Sequence, residues 1–167
     1  MVEKVYVSWS EVNHQINSLL IDIASSGNKY TQIVGIKNGG AYPGQRIAMM
    51  LGIPYTEIRV SFYNKDDKKG TMSEDSINQF EFDQLFDWNK EKVLFVDDLV
   101  DSGSTFTHIF NYLSIGEHSP AKHGFACLYH STHSSSIGGV FVGSKKPDAW
   151  IVLPWETTEQ FIKVAHE

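Results

Sequence analysis

Cysteine is almost missing from this sequence: Cys127 is the single one. That excludes an internal disulfide and fits a reducing compartment. Long apolar runs are missing too, and none approaches the ~20 residues that a membrane span requires. Met1-Val2-Glu3-Lys4-Val5-Tyr6 has no basic stretch followed by a long apolar one, so it does not read as a signal peptide. A cytoplasmic location is therefore expected. Basic residues are scarce, with 14 Lys and Arg against 20 Asp and Glu and a net charge of -6. Lys65, Lys68 and Lys69, then Lys145 and Lys146, are the small clusters. They do not make the basic face of a nucleic-acid binder. An anionic ligand needs a local site whose donors outweigh the global field.

What is present is an ordinary globular composition. Hydrophobic residues make up 41% and charged residues 20% of 167, enough to bury a real core in one domain. Ser8-Trp9-Ser10-Glu11 has capping-box spacing, and Val12, Ile16, Leu19, Leu20 and Ile23 follow at helical spacing. Ile33–Ile36 is an apolar run of strand length, broken by Asn38-Gly39-Gly40. Pro43 and Gly44 open a second helix that Gly52 closes. A strand is predicted around Tyr55 to Tyr63 and a buried central strand at Val93–Val96. A loop from Asp97 to Ser104 leads into a helix carrying Phe106, Ile109, Phe110 and Leu113. Phe125–Tyr129, Val140–Val142 and Trp150–Leu153 are further strands, with a last helix over Thr157–Ala165. The polar stretch 64–76 lacks periodicity, and a loop of that length in a compact domain is functional or disordered.

This alternation predicts an α/β fold, a mostly parallel twisted sheet flanked by helices. Ligands in such sheets bind beyond the carboxyl ends of the strands. The segment Val93-Leu94-Phe95-Val96-Asp97-Asp98-Leu99-Val100-Asp101-Ser102-Gly103-Ser104-Thr105 lies at such an end. A buried strand delivers two adjacent carboxylates. A third carboxylate, a glycine and hydroxyl residues then enter a helix, whose N-terminus attracts anions. Gly103 lets backbone approach a phosphate. Carboxylates beside a phosphate cradle require an intermediary, either sugar hydroxyls or a bound Mg²⁺. An Asp-rich turn capping a helix would account for only one or two of these residues.

The segment resembles the phosphoribosyl pyrophosphate signature of type I phosphoribosyltransferases. Together with Tyr6–Trp9, Ile36–Gly44 and Asp148–Glu156, it makes most of the chain similar to the bacterial xanthine-guanine phosphoribosyltransferases. The resemblance implies one domain over 1–167, a mobile loop at about 64–76 and a base-binding hood at about 145–167. It implies transfer of a 5-phosphoribosyl group from phosphoribosyl pyrophosphate to a purine, with Mg²⁺ as cofactor, in a homodimer or homotetramer.

The implied roles fall on matching positions. Asp101 is the general acid/base near the purine N7. Asp97 and Asp98 hold ribose hydroxyls and the Mg²⁺ shell, and Ser102, Gly103, Ser104 and Thr105 grip the 5′-phosphate. Lys37, Asn38 and Gly39 form the pyrophosphate loop, with an implied cis bond between Lys37 and Asn38. Tyr63 begins the mobile loop. Trp150 stacks on the base and Ile151 reads its edge through backbone. Trp155 reads as a core or interface aromatic. Glu156 is either an acidic site residue or a solvated helix-start residue.

Three positions depart from the family. A lysine that contacts the purine 6-oxygen is expected after the late strand, but Tyr129-His130-Ser131 stands there and no lysine follows until Lys145. His130 is the replacement candidate for a base contact. Asn38, not a basic residue, precedes Gly39-Gly40, and Phe62-Tyr63 replaces Ser-Tyr. Transfer to another nucleobase, and a non-catalytic sensor of phosphoribosyl pyrophosphate, remain alternatives. His130 and His133 with Cys127 lack the spacing of a zinc site.

Overall fold

A computed structural model describes residues 3–60, 84–88, 90–116, 118–131 and 140–158. Tyr63, the 64–76 stretch and His133 lie outside the described residues.

Five strands form one sheet: β2 (Gln32–Lys37), β3 (Tyr55–Arg59), β4 (Val93–Val100), β5 (Gly124–His130) and β6 (Val140–Lys145). Their order is β3-β2-β4-β5-β6, and every pairing is parallel. A second sheet pairs β1 (Lys4–Tyr6) with β7 (Trp150–Val152), also parallel. β7 lies in the segment expected to form the hood, about 145–167, of which residues 145–158 are described. Among the described residues, the α-helices between strands are α1 (Trp9–Ser25), α2 (Ala41–Leu51) and α3 (Ser104–Ile115).

Strand alternation makes two apolar layers, because successive side chains point to opposite faces. Leu94 and Val96 of β4, with Ala126 and Leu128 of β5, face Val12, Ile16 and Leu19 of α1 and Ile47 of α2. Val93 and Phe95, with Phe125 and Cys127, face Phe106, Ile109 and Leu113 of α3. Trp88 and Phe86 close this second layer. Cys127 is wholly buried there, and burial pushes its thiol up to about 12, so it behaves as a core residue.

Local chemistry sets the helix ends. The Ser8 backbone N–H donates to Glu11 Oε2 at 2.7 Å and the Glu11 N–H donates to Ser8 Oγ at 3.2 Å, completing the predicted capping box. α2 begins at Ala41, two residues before Pro43, because a proline in the first turn lacks only an N–H that has no helical partner. Helix also begins earlier than predicted near the end of the described chain, at residue 154, where Pro154 fills the first turn.

Candidate active site

The chain runs from β2 outward to β3, then returns past β2 to β4 and continues to β5 and β6. The order therefore reverses between β2 and β4. At such a switch point the connections diverge and leave a crevice beyond the strand ends. The end of β2 brings Lys37-Asn38-Gly39-Gly40, and the end of β4 brings Asp97 and Asp98.

β4 does not stop at Val96. It continues through Val100 because β5 pairs beside it, Asp97 against Cys127, Leu99 against Tyr129 and Val100 against His130. The acidic pair is thus held in a strand, where composition predicts the start of a loop. The Asp98 N–H donates to Asp97 Oδ1 at 2.9 Å. Burial raises Asp97 well above the usual carboxylate range, and the neighbouring Asp98 adds to it. Burial also raises Asp98, with Glu156 contributing. Two adjacent, partly desolvated carboxylates favour a cation or sugar hydroxyls beside them. The oxygen donors fit Mg²⁺. Among the described residues no three His, Cys, Asp or Glu side chains converge as a cage, so such an ion would complete its shell with water and substrate oxygens.

The β2 turn lies directly against this pair. A Cβ added at Gly39 would collide with the Asp98 carboxylate, and one at Gly40 with the Val96 carbonyl. Only glycines let the turn come this close. The Lys37–Asn38 peptide is cis, and Asn38 is exposed. The Lys37 ammonium sits 2.8 Å from Glu57, whose carboxylate also accepts from Tyr55 and Gln45.

Beyond β4 the chain turns through exposed Asp101 and Ser102 to Gly103, at φ 80°, which starts α3 without a side-chain cap. The Ser104 N–H reaches Ser102 Oγ at 3.3 Å, and the two hydroxyls lie 2.7 Å apart. Thr105 stands in the first helical turn. Hydroxyls and a positive helix end therefore surround one small space, suited to a phosphate.

A cavity of about 200 Å³ opens beside this turn. Trp150 and Ile151 of β7 line it, together with Asp98, Asp101 and Glu156. Trp150 is 60% exposed, so its ring is open to a flat ligand, whereas Ile151 is buried. Glu156 lines the cavity and also accepts from the Leu153 N–H at 3.1 Å, so it caps the helical turn beginning at 154. Trp155 packs in an aromatic group with Trp9 and Tyr42 against the first layer, which makes it the core aromatic expected from the sequence.

The cavity also contains Lys146, which no motif in the sequence singles out as a site residue. The register explains its position. Val100, His130 and Lys145 lie side by side on β4, β5 and β6. Asp101 and Lys146, each one residue further, meet over the end of β5 with Nζ to Oδ1 at 3.0 Å. His130, the replacement candidate, ends β5 and is not among the cavity-lining residues. Its carbonyl accepts from the Lys146 N–H at 2.9 Å.

Residues 8–161 match the model of the phosphoribosyl transferase domain. The chain belongs to the phosphoribosyltransferase family. A xanthine-guanine phosphoribosyltransferase of Desulfotalea psychrophila is 30% identical over 158 residues, 93% of this chain and 88% of that protein. One from Gluconobacter oxydans is 26% identical over 93% of this chain and 86% of its own length. A purine phosphoribosyltransferase from Pyrococcus horikoshii Ot3 superposes with a TM-score of 0.70 at 27% identity, covering 92% of this chain and 94% of that one. In this phosphoribosyltransferase the acidic strand end, the glycine turn and the hydroxyl-rich helix start adjoin one another. β7 brings Trp150 to the same crevice. Among the described residues no helix is long and apolar enough to cross a membrane.

Proposed function

We propose that this chain transfers the 5-phosphoribosyl group of phosphoribosyl pyrophosphate to a purine base, giving a nucleoside monophosphate and pyrophosphate in purine salvage. One observation carries the reading: the acidic pair of β4, the glycine turn of β2 and the aromatic cavity converge at one switch point. A bond forms between a base nitrogen and the anomeric carbon while the bond from that carbon to the pyrophosphate oxygen breaks.

The residues divide the work by charge. Asp97 and Asp98 accept hydrogen bonds from the ribose hydroxyls and face the cationic character that the ribose gains. The backbone at Lys37, Asn38 and Gly39 meets the departing pyrophosphate, since preformed donors stabilise charge as it develops. Ser102, Ser104, Thr105 and the start of α3 hold the 5′-phosphate. The base lies on Trp150, and Asp101 exchanges a proton with its imidazole edge. Asp97 and Asp98 would hold Mg²⁺, which when bound neutralises charge on the pyrophosphate.

The test is to incubate the protein with phosphoribosyl pyrophosphate, Mg²⁺ and each of guanine, xanthine, hypoxanthine, adenine, uracil and orotate, and to measure nucleotide formed. Purine nucleotide is expected. Asp101→Asn should lower turnover by roughly 10²–10⁴-fold while Mg²⁺-dependent donor binding persists. Product from none of the bases, with donor binding intact, defeats the reading.

A further inference from the structure

We infer that Glu57 is a positioning residue for pyrophosphate: through Lys37 it holds the glycine turn of β2 against the first turn of α2. The inference rests on the reading of that turn as the pyrophosphate site.

The contacts of Glu57 tie together the elements on either side of the turn. Glu57 stands on β3, with Oε2 2.8 Å from the Lys37 ammonium at the end of β2. Its Oε1 accepts from the Tyr55 hydroxyl at 3.0 Å and from the Gln45 amide of α2 at 3.4 Å. The turn from Asn38 to Gly40 joins β2 directly to α2, so Glu57 grips both of its ends. The parallel register places these groups. Gly35 pairs with Glu57 and Lys37 with Arg59, so Lys37, Tyr55, Glu57 and Arg59 share one face of the sheet. Glycine makes the room. A Cβ at Gly35 would strike the Tyr55 hydroxyl, and one at Gly44 would lie 2.9 Å from the Tyr55 ring. Tyr55 thus fills the seam between β2 and α2. Burial raises its hydroxyl above the ordinary tyrosine range, so it keeps its proton and can donate to Glu57.

Charge decides what this brace does. Lys37 and Arg59 are neighbours across the strands, and like charges side by side repel. Glu57 lies on the same face, and the bond from Lys37 holds its carboxyl below the usual range. Without that carboxylate the repulsion drives the Lys37 ammonium off the sheet, and the backbone beside it loses its anchor. The Lys37 side chain is 42% exposed, so the pair adds little to global stability. Its effect is local. Asn38 and Gly39 follow Lys37 directly, and donors that meet a developing charge work only where they are held in place. Glu57 therefore acts on pyrophosphate through the turn.

The experiment is calorimetric titration of pyrophosphate with Mg²⁺, and separately of GMP, into the wild-type protein, Glu57→Gln, Lys37→Met and the double variant, each checked by thermal melting. Pyrophosphate reports on the turn, and GMP on the phosphate and base positions beyond it. Glu57→Gln should weaken pyrophosphate by roughly 10-fold and move GMP by no more than about twofold. In the Lys37→Met background the same substitution should change pyrophosphate by no more than about twofold, because Glu57 has lost the group it acts through. Tyr55→Phe, which keeps the ring in the seam, should weaken pyrophosphate by about threefold and tests the brace if Glu57→Gln does not fold. A merely structural role would weaken both ligands alike or act equally in the two backgrounds, and either result overturns the inference. So does tighter pyrophosphate binding in Glu57→Gln, which would mean that the carboxylate withholds the ammonium. Pyrophosphate affinity unchanged in both Glu57→Gln and Tyr55→Phe overturns it too, as does a wild type that does not bind pyrophosphate. If no base is turned over while Glu57→Gln weakens pyrophosphate selectively, the enzymatic proposal fails and this one stands. If purine nucleotide forms while Glu57→Gln leaves the pyrophosphate to GMP ratio unchanged, the enzymatic proposal stands and this one fails.

Discussion

Gly39 shows how much of this site depends on the absence of a single carbon atom. A Cβ at this position would fall on the Asp98 carboxylate, so any side chain there must displace the acidic pair or the turn. Gly39→Ala should lower turnover by roughly 100-fold, since displacements of about 1 Å in a catalytic arrangement have effects of that size. Steady-state kinetics with a parallel thermal melt would check this, and a near-normal rate would mean that the two segments separate in the working enzyme. At this scale the sequence is readable where chemistry is contiguous. Asp97, Asp98, Asp101 and Gly103 announce themselves because strand, carboxylates, glycine and hydroxyls follow one another within thirteen residues. Lys146 does not. Its partner Asp101 is 45 residues away, and only the parallel register of β4, β5 and β6 brings the two together.

Among the elements, α3 has the clearest division between stability and function. Gly103 adopts φ 80° where the chain enters the helix, and Gly27 adopts φ 72° where α1 has ended, with open space around it. A side chain in this left-handed region costs about 1–2 kcal/mol at either place. Gly27→Ala and Gly103→Ala should therefore lose similar stability in denaturant titrations. Only Gly103→Ala should raise KM for phosphoribosyl pyrophosphate, because only that turn adjoins the hydroxyls of Ser102 and Ser104. Equal KM values in the two variants would remove the turn from phosphate binding. Periodicity makes most elements legible: α1 and its capping box, the central strand and α3 all lie where predicted. Strand ends are less legible. Asp97 to Val100 look like a loop by composition, yet pairing with β5 holds them extended. No local signal records a neighbouring strand.

For the molecule as a whole, acid sensitivity follows from a histidine far from the chemistry. His123 lies beneath β4, where its Nδ1 accepts from the Val93 N–H at 3.1 Å. The proton is therefore on Nε2, which donates to the His118 carbonyl at 3.1 Å. Trp88 and Phe95 pack edge-on against the ring. Burial lowers its pKa from 6.5 to about 4. The unfolded chain therefore binds a proton before the native one does. Stability from this group is complete above pH 6.5 and is lost as pH falls toward 4. Burial lowers His108 too and adds in the same direction, whereas the raised carboxyls of Asp97 and Asp98 act with the opposite sign. His123→Gln keeps one donor and one acceptor without titrating. Melts between pH 4 and 7 should show a shallower pH dependence in that variant, and an identical slope would assign the acid sensitivity to other groups.

The β1–β7 pairing also bears on the order in which the protein is made. Lys4, Val5 and Tyr6 leave the ribosome before every other described strand, but their partners Trp150, Ile151 and Val152 leave after all of them. A nascent chain that has reached β5 already has the glycine turn, the acidic pair and the start of α3. It still lacks Lys146 and the tryptophan on which a base would lie. The half of the crevice built from the acidic pair and the hydroxyl turn can therefore assemble during synthesis, while the half that carries Trp150 must wait for the late strands to close back on the first.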